Sequence, residues 1–206
     1  MVVFRIVSIL LGYLFGLFPT GVLYGKAHNV DIRSKGSGNS GMTNSLRVLG
    51  WKAGVVVFFG DCLKAVAAMV IIWAVARTRY PDAVKLLELY AGFGAVLGHN
   101  FPFYMKFKGG KGIATTGGVI FAFHWQLGLI CAAVFLIITI ISKYVSLGSI
   151  CMVLIIPFIL YFNNPQDWKL VVVGCIFTAM AIWRHRANIV RLMNGTENKL
   201  GQKVKR

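Results

Sequence analysis

Long apolar stretches alternate with short polar segments along almost the whole chain. A membrane-spanning helix needs about 20 mostly apolar residues, and six stretches approach or exceed that length. They are 4–25, 53–76, 86–104, 125–142, 146–162 and 168–184. A seventh, 112–123, is shorter and would cross only as a short helix surrounded by protein, or else re-enter. The pattern predicts an all-α, polytopic membrane protein.

The basic residues of the polar segments indicate whether 112–123 crosses. Cytoplasmic loops of membrane proteins carry an excess of Lys and Arg. If this stretch crosses, sixteen Lys and Arg residues lie on one side and five on the other. If it does not cross, Lys143 and the basic C-terminal segment 184–206 move to the side with fewer basic residues. We therefore predict about seven transmembrane helices, one of them short, with the N-terminus outside and the C-terminus in the cytoplasm.

The composition narrows the classes of function. The chain has 206 residues, of which 57% are hydrophobic and 14% charged, whereas soluble domains have about 25% charged residues. The net charge of +16 suits nucleic acid, anionic lipid headgroups or small phosphorylated molecules. Long apolar stretches between the basic segments argue against nucleic acid. The length predicts one integral membrane domain over 1–206.

The first polar segment, 33–52, combines glycines with short polar and basic side chains. It contains G-x-G-x-x-G, but a dinucleotide fingerprint needs a buried strand before it, and polar residues precede it here. Glycines let backbone N–H groups turn toward one anion, and arginine suits bidentate contact with phosphate. A flexible cytoplasmic loop is the alternative. The candidate phosphate contacts are Ser37, Gly38, Asn39, Thr43, Asn44 and Arg47.

The second polar segment, 98–118, is basic and rich in glycine immediately before the short apolar stretch. It resembles part of a P-loop but lacks the earlier glycine and the Ser or Thr that holds magnesium. Glycines beside a lysine at the start of a helix still suit a phosphate or an oxyanion. A basic turn at the membrane surface is the alternative. The candidate residues are Lys108, Gly109, Gly110, Lys111 and Gly112.

The third polar segment, 184–199, follows the last long apolar stretch. Its candidate residues are His185 and Asn188, and Glu197 is placed to orient one of the nearby basic groups. A basic helix end facing lipid phosphates is the common alternative. No histidine has an aspartate five residues later, and no paired-histidine metal motif occurs. We predict no metal and no cofactor.

One ion pair falls inside an apolar stretch. Asp61 and Lys64 stand three residues apart within 53–76, and charges at membrane depth are costly and usually paired. We favour a structural ion pair over a direct part in chemistry.

Together these segments resemble the bacterial acyl-phosphate:glycerol-3-phosphate acyltransferases, the PlsY family. The resemblance covers essentially the whole chain in order and spacing, and includes GYLFGLFPTG of the first apolar stretch and the Asp61–Lys64 pair. A departure is Ala65, where the family often has glycine. The matching segments are GSGNSGMTNSLRVLGWK, GHNFPFYMKFKGGKGIAT and RHRANIVRLMNGTENK.

The resemblance implies transfer of a fatty acyl group from acyl phosphate to the 1-hydroxyl of glycerol 3-phosphate. The products are lysophosphatidic acid and phosphate, and the membrane is the bacterial inner membrane, with the site facing the cytoplasm. The substrates, membrane lipid and the soluble enzyme that makes acyl phosphate are the implied partners; nucleic acid is not. The three segments then form three walls of one site.

Physical chemistry suggests roles within that activity. Lys108, Lys111 and the 109–112 backbone are candidates for one phosphate and the leaving group, and the first segment for the other phosphate. His185 and Asn188 complete the site. The proton acceptor is either His185 or a substrate phosphate oxygen. A transporter or channel for phosphorylated metabolites is the alternative function, although we find no internal repeat of the kind many transporters contain.

Overall fold

The computed structural model describes residues 1–202, and within that range the secondary structure is entirely helical. Lys203, Lys205 and Arg206, which contribute to the charge argument for orientation, lie outside the described residues. Two short 3-10 helices, Pro81–Ala83 and Phe103–Met105, interrupt the α-helices. The α-helices are α1 Val2–Gly16, α2 Thr20–Ala27, α3 Met42–Leu49, α4 Trp51–Arg79, α5 Val84–Asn100, α6 Ile113–Phe123, α7 Trp125–Ser142, α8 Val145–Asn163, α9 Trp168–Arg184 and α10 Arg186–Met193.

In the part of the chain that the structure describes, four helical stretches are long and apolar enough to cross a membrane: Val2–Ala27, which joins α1 and α2, and α4, α7 and α8. A fifth forms if α9 and α10, bent by 60°, count as one span. Helix α5 has 17 residues and α6 has 11. The predicted all-α membrane architecture is confirmed. The count of seven crossings and their orientation stay predictions.

The described chain divides into two compact units, Met1–Phe123 and His124–Gln202. The first contains α1 to α6, and the second contains α7 to α10. The single acyltransferase domain over 1–206 stays a prediction, and each unit is described by itself.

Glycines bring α1 and α5 together in the first unit. A Cβ on Gly12 would lie 1.9 Å from the Ala91 carbonyl oxygen, and one on Gly94 would lie 2.1 Å from that of Ile9. Gly98 makes the same close approach to Tyr13. Small residues at such an interface let two membrane helices approach to backbone contact. This packing fixes the end of α5, where the second polar segment begins.

The junction between α1 and α2 is held by side chains from elsewhere in the first unit. Pro19 interrupts the helix there, so carbonyl groups at the end of α1 need other donors. The Lys64 ammonium donates to the Phe18 carbonyl at 2.9 Å, and the Tyr104 hydroxyl donates to that of Leu17. The junction is thereby connected to α4 and to the second polar segment.

The second unit is a bundle of α7, α8 and α9 followed by the short α10. Thr178 on α9 donates to the Val153 carbonyl of α8 at 2.6 Å. A Cβ on Gly148 would lie 2.2 Å from the Thr139 hydroxyl, so α7 and α8 also pack closely. The segment after α10 returns to this bundle, where the Leu200 N–H donates to the Lys143 carbonyl at 2.7 Å.

Candidate active site

The first polar segment forms an exposed loop that ends on α3, and one buried side chain shapes it. The Asn44 amide nitrogen donates to the carbonyls of Ile32 at 2.9 Å and Lys35 at 3.1 Å, and its oxygen accepts from the Ser37 N–H at 2.8 Å. Gly36, with φ of +62°, lies against this amide, and a Cβ there would be 2.2 Å from its oxygen. Since both amide hydrogens are engaged, the contacts of Asn44 give it a loop-shaping role, and its predicted substrate contact stays a prediction.

The loop reaches α3 through a short turn made by Asn39, whose side-chain oxygen accepts from the Gly41 N–H at 2.9 Å. Gly41 is the residue before α3, and the first N–H groups of a helix have no partner within it. Thr43 and Arg47 are half-buried along α3, while Ser37 and Gly38 are exposed. The segment therefore presents polar side chains and a helix N-terminus, which suit an anion.

Backbone pairing folds the second polar segment back onto the end of α5. The Gly110 N–H donates to the His99 carbonyl at 3.0 Å, and the Gly109 N–H donates to the Asn100 carbonyl at 3.1 Å. These two N–H groups thus have protein acceptors. Gly112, with φ of +77°, immediately precedes α6, and a Cβ there would lie 2.7 Å from Val96.

Two lysines flank these glycines. Lys108 is exposed and Lys111 is half-buried. The Lys111 side chain carries a positive charge beside the N-terminus of α6, and both features suit an anion. The predicted oxyanion contacts from Gly109 and Gly110 stay predictions.

A cavity in the first unit brings the first two polar segments together. Ser40 of the first segment and Gly109 of the second both line it, together with Thr20, Asp61 and His99. The two segments are far apart in sequence, and they meet at this small cavity of about 10 Å³. That they share one substrate site stays a prediction.

The Asp61–Lys64 pair lies beside this cavity as part of a larger buried cluster. Lys64 Nζ is 2.8 Å from Asp61 Oδ1 and 2.8 Å from His99 Nδ1. The Thr20 hydroxyl adds a contact of 3.3 Å to the same carboxylate oxygen. Sequence reasoning found the ion pair from its spacing on one helix but missed His99, because no local pattern indicates a partner 35 residues away.

The third polar segment belongs to the second unit, where Glu197 organises it. Its carboxylate accepts from Asn188 Nδ2 at 2.7 Å, from Arg191 Nε at 2.7 Å and from the Ser146 hydroxyl at 3.1 Å. The prediction that Glu197 orients a basic residue is confirmed. Sequence reasoning missed Ser146, which lies at the start of α8 in an apolar stretch.

His185 stands between α9 and α10 and is buried. Its Nδ1 lies 2.8 Å from the Ala181 carbonyl oxygen. Because a carbonyl only accepts, Nδ1 carries a hydrogen, and in the neutral ring Nε2 is then an acceptor. This tautomer is the one a general base would need. Among residues 1–202, no three His, Cys, Asp or Glu side chains are grouped to hold a metal ion.

Comparison with known proteins identifies the family. The family model described as glycerol-3-phosphate acyltransferase matches residues 6–195. The chain belongs to the glycerol-3-phosphate acyltransferase family. It is 43% identical over 204 residues to the glycerol-3-phosphate acyltransferase of Clostridioides difficile (strain 630), covering 96% of each chain. It is 44% identical over 193 residues to that of Bacillus subtilis (strain 168), covering 93% of this chain and 95% of the relative.

Two solved structures of PlsY (YgiH), an integral membrane glycerol 3-phosphate acyltransferase, resemble this member of the family. The glycerol 3-phosphate form has a TM-score of 0.86 and 36% identity, covering 96% of each chain. The lysophosphatidic acid form has a TM-score of 0.84 and 36% identity, covering 96% of this chain and 95% of the other. The predicted family, the membrane acyltransferase class and its place in phospholipid synthesis are confirmed.

Proposed function

We propose that this acyltransferase transfers a fatty acyl group from acyl phosphate to the 1-hydroxyl of glycerol 3-phosphate, giving lysophosphatidic acid and phosphate. The observation that carries this proposal is the cavity lined by both Ser40 and Gly109, which brings two glycine-rich basic segments to one place in a membrane protein. The related PlsY structures, in glycerol 3-phosphate and lysophosphatidic acid forms, support this acceptor and this product.

Acyl phosphate suits these residues as the donor. It is an anhydride, so its carbonyl carbon is reactive without a covalent enzyme intermediate. The acceptor hydroxyl oxygen attacks that carbon, a tetrahedral oxyanion forms, the bond to the phosphate oxygen breaks, and phosphate leaves. Such a reaction needs two anionic substrates held close together and an oxyanion stabilised. The net charge of +16 and the two basic segments supply what that task requires.

We assign roles within this reaction from the charge of the side chains and their positions along the two segments. Lys111, with Lys108 and the N-terminus of α6 after Gly112, receives one phosphoryl group and the developing oxyanion. Arg47, with the N-terminus of α3, receives the other. The remaining residues of both segments shape the two loops or contact substrate; these are Ser37, Gly38, Asn39, Thr43, Asn44, Gly109 and Gly110.

His185 and Asn188 are the proposed catalytic residues of the second unit. The Nδ1–H tautomer of His185 leaves Nε2 as the basic nitrogen, and Asn188 is held by Glu197. A substrate phosphate oxygen is the other acceptor for the hydroxyl proton. The variant His185→Asn separates the two possible proton acceptors. If the histidine is the base, most of the activity is lost, and the decrease of kcat at acidic pH disappears from its pH profile. An unchanged decrease at acidic pH assigns the proton to the phosphate.

We place the enzyme in the bacterial inner membrane with its site facing the cytoplasm, and assign 1–206 to one acyltransferase domain. Membrane lipid and the soluble enzyme that makes acyl phosphate are the proposed partners.

In a variant lacking the native cysteines, the exposed positions Ser34, Asp82 and Asn198 test the orientation. Ser34→Cys and Asn198→Cys should be protected from an impermeant reagent in intact cells, and Asp82→Cys should react. Labelling at position 198 without labelling at 34 would contradict seven crossings.

The activity is tested with the purified full chain, palmitoyl phosphate and glycerol 3-phosphate. We expect phosphate release that depends on both substrates and equals the lysophosphatidic acid formed. Palmitoyl-CoA in place of palmitoyl phosphate tests the donor, and activity with the thioester alone would overturn that assignment. Glycerol 3-phosphate uptake into sealed vesicles without acylation would instead favour the transporter alternative.

A further inference from the structure

Lys64 is surrounded by three hydrogen-bond acceptors from three different parts of the first unit. Its ammonium nitrogen lies 2.9 Å from the Phe18 carbonyl oxygen, 2.8 Å from Asp61 Oδ1 and 2.8 Å from His99 Nδ1. An ammonium group has three hydrogens and no acceptor. One hydrogen is therefore available for each of these contacts, and Lys64 is fully engaged by the junction after α1, by its own helix and by α5.

This arrangement fixes the state of the His99 ring. Because Lys64 donates to Nδ1, that nitrogen is an acceptor and the neutral ring carries its hydrogen on Nε2. Asp61 Oδ1 is farther from Nδ1, at 3.4 Å, than the Lys64 nitrogen. His99 is buried, at 8% exposed, so the cluster holds both the tautomer and the ring orientation.

The opposite edge of this ring lies directly against the glycine-rich part of the second polar segment. A Cβ built on Gly110 would be 2.0 Å from His99 Nε2, and one on Gly109 would be 2.0 Å from the His99 carbonyl oxygen. The same carbonyl accepts from the Gly110 N–H at 3.0 Å. His99 thus touches this part of the loop with both its ring and its backbone, one residue before Lys111.

Stability alone is a poor explanation for such a cluster. Desolvating an ion pair offsets most of its attraction, and apolar residues of similar volume are often equally stabilising. A lysine bonded to three acceptors does, however, fix the orientation of each acceptor group. Here Lys64 of α4 fixes the orientation of the His99 ring, which lies against Gly110 at the edge of a cavity lined by Asp61, His99 and Gly109.

We propose that His99 is a positioning residue, which the Lys64–Asp61 pair orients so that its Nε2 edge holds Gly109–Gly110 and thereby places Lys111 for a phosphoryl group. The ligand class is a phosphate monoester or an acyl phosphate. This inference rests on the proposed function for its effect on turnover. Its effect on phosphate binding is independent of the acyl donor.

Two amide substitutions separate positioning from a purely structural role. His99→Asn keeps a polar atom near the Nδ1 position, facing Lys64, but has nothing at the ring edge. His99→Gln extends an N–H toward the Nε2 position, facing Gly110. If His99 positions the loop, kcat/KM should fall on the order of 100-fold in the Asn variant and be largely restored in the Gln variant. If His99 only completes the ion cluster, the Asn variant should be the more active of the two.

Both variants are measured in the full-length protein, with His28→Asn, an exposed histidine outside the cluster, as the matched control. KM and kcat are determined for each substrate, and the substrate whose KM rises in the Asn variant is the one this loop binds. Near-normal kinetics in the Asn variant, or an Asn variant at least as active as Gln, would overturn the proposal. Failure of both variants to purify as monodisperse protein would also overturn it, because His99 would then be needed for folding.

Thermal stabilisation by inorganic phosphate separates this proposal from the proposed function. A ligand that binds only the folded protein raises Tm with its concentration. The wild type and the Gln variant should be stabilised by phosphate, and the Asn variant should not. A wild type without acyl transfer that still shows this difference would keep the positioning role and reject the function. An active wild type with equal phosphate responses in all variants would keep the function and reject the positioning role.

Discussion

The two glycine-rich loops of the first unit have similar composition, and each leads into a helix, but they are held in place differently. The loop before α3 is exposed, and the buried Asn44 amide ties its carbonyls together. The loop before α6 is paired through its backbone with the end of α5 and contacts the His99 ring. The first loop thus depends mainly on side-chain contacts, those of Asn44 and Asn39, whereas the second is paired through its backbone with the end of α5.

This difference shows that two loops of similar composition can differ in how rigidly they are held. A backbone paired with the end of α5 and packed against the His99 ring has little freedom to adjust to a ligand, so the second loop is held in one arrangement. A loop held mainly by the side chains of Asn44 and Asn39 has more room to move. We therefore expect substitutions in the second loop to affect both activity and folding, and substitutions in the first to act more locally.

The largest expected effect is that of Lys111→Ala. Removing a cation from the site of a developing oxyanion costs about 100- to 1000-fold in kcat, and the truncation leaves the helices intact. Turnover at saturating substrate measures the effect. Lys106→Asn, at an exposed residue with φ of +54°, is the matched control and should be nearly normal. Near-normal turnover of the Lys111 variant would remove this lysine from the site.

The next largest effect is a loss of stability on substituting a positive-φ glycine, and we compare one such glycine from each loop. Gly112→Ala places a Cβ 2.7 Å from Val96 at φ of +77°, whereas Gly38→Ala, at φ of +70°, meets only the Arg33 carbonyl at 3.2 Å. The first combines left-handed backbone with overpacking and should cost about 3 kcal/mol, and the second about 1 kcal/mol. Thermal unfolding in detergent compares them. Equal losses would show that the two loops are held alike.

The smallest effect is confined to the first loop. Asn44→Ala leaves the carbonyls of Ile32 and Lys35 and the Ser37 N–H without their amide partner, which weakens the local structure by about 2 kcal/mol. Hydrogen exchange of the 32–38 amides should accelerate, while exchange at Gly109 and Gly110 should be unchanged. Asn39→Ala removes one turn contact and serves as the control. Faster exchange in the second loop as well would mean that the two loops are coupled.

The local features of this protein were predictable from sequence because each depends on neighbouring residues. Apolar length predicted the helices, and the i, i+3 spacing of Asp61 and Lys64 predicted an ion pair, now seen at 2.8 Å. The glycines of both loops were recognised because few other residues adopt a positive φ. Glu197 was assigned an orienting role from its place after a basic helix end, and its bond to Arg191 confirms this.

The long-range contacts were not predictable, because each joins residues that only the packing of helices brings together. His99 meets Lys64 because α4 and α5 pack against each other, which brings together residues 35 positions apart. The loop-shaping role of Asn44 is visible only in the bonds from its amide hydrogens to the carbonyls of Ile32 and Lys35, and its predicted substrate contact stays a prediction. The sequence by itself therefore determined the all-α membrane architecture and the family, and it predicted candidate residues for binding phosphate. Only the tertiary structure decided which of their polar groups are already engaged, since hydrogen-bond partners depend on distance in space rather than along the chain.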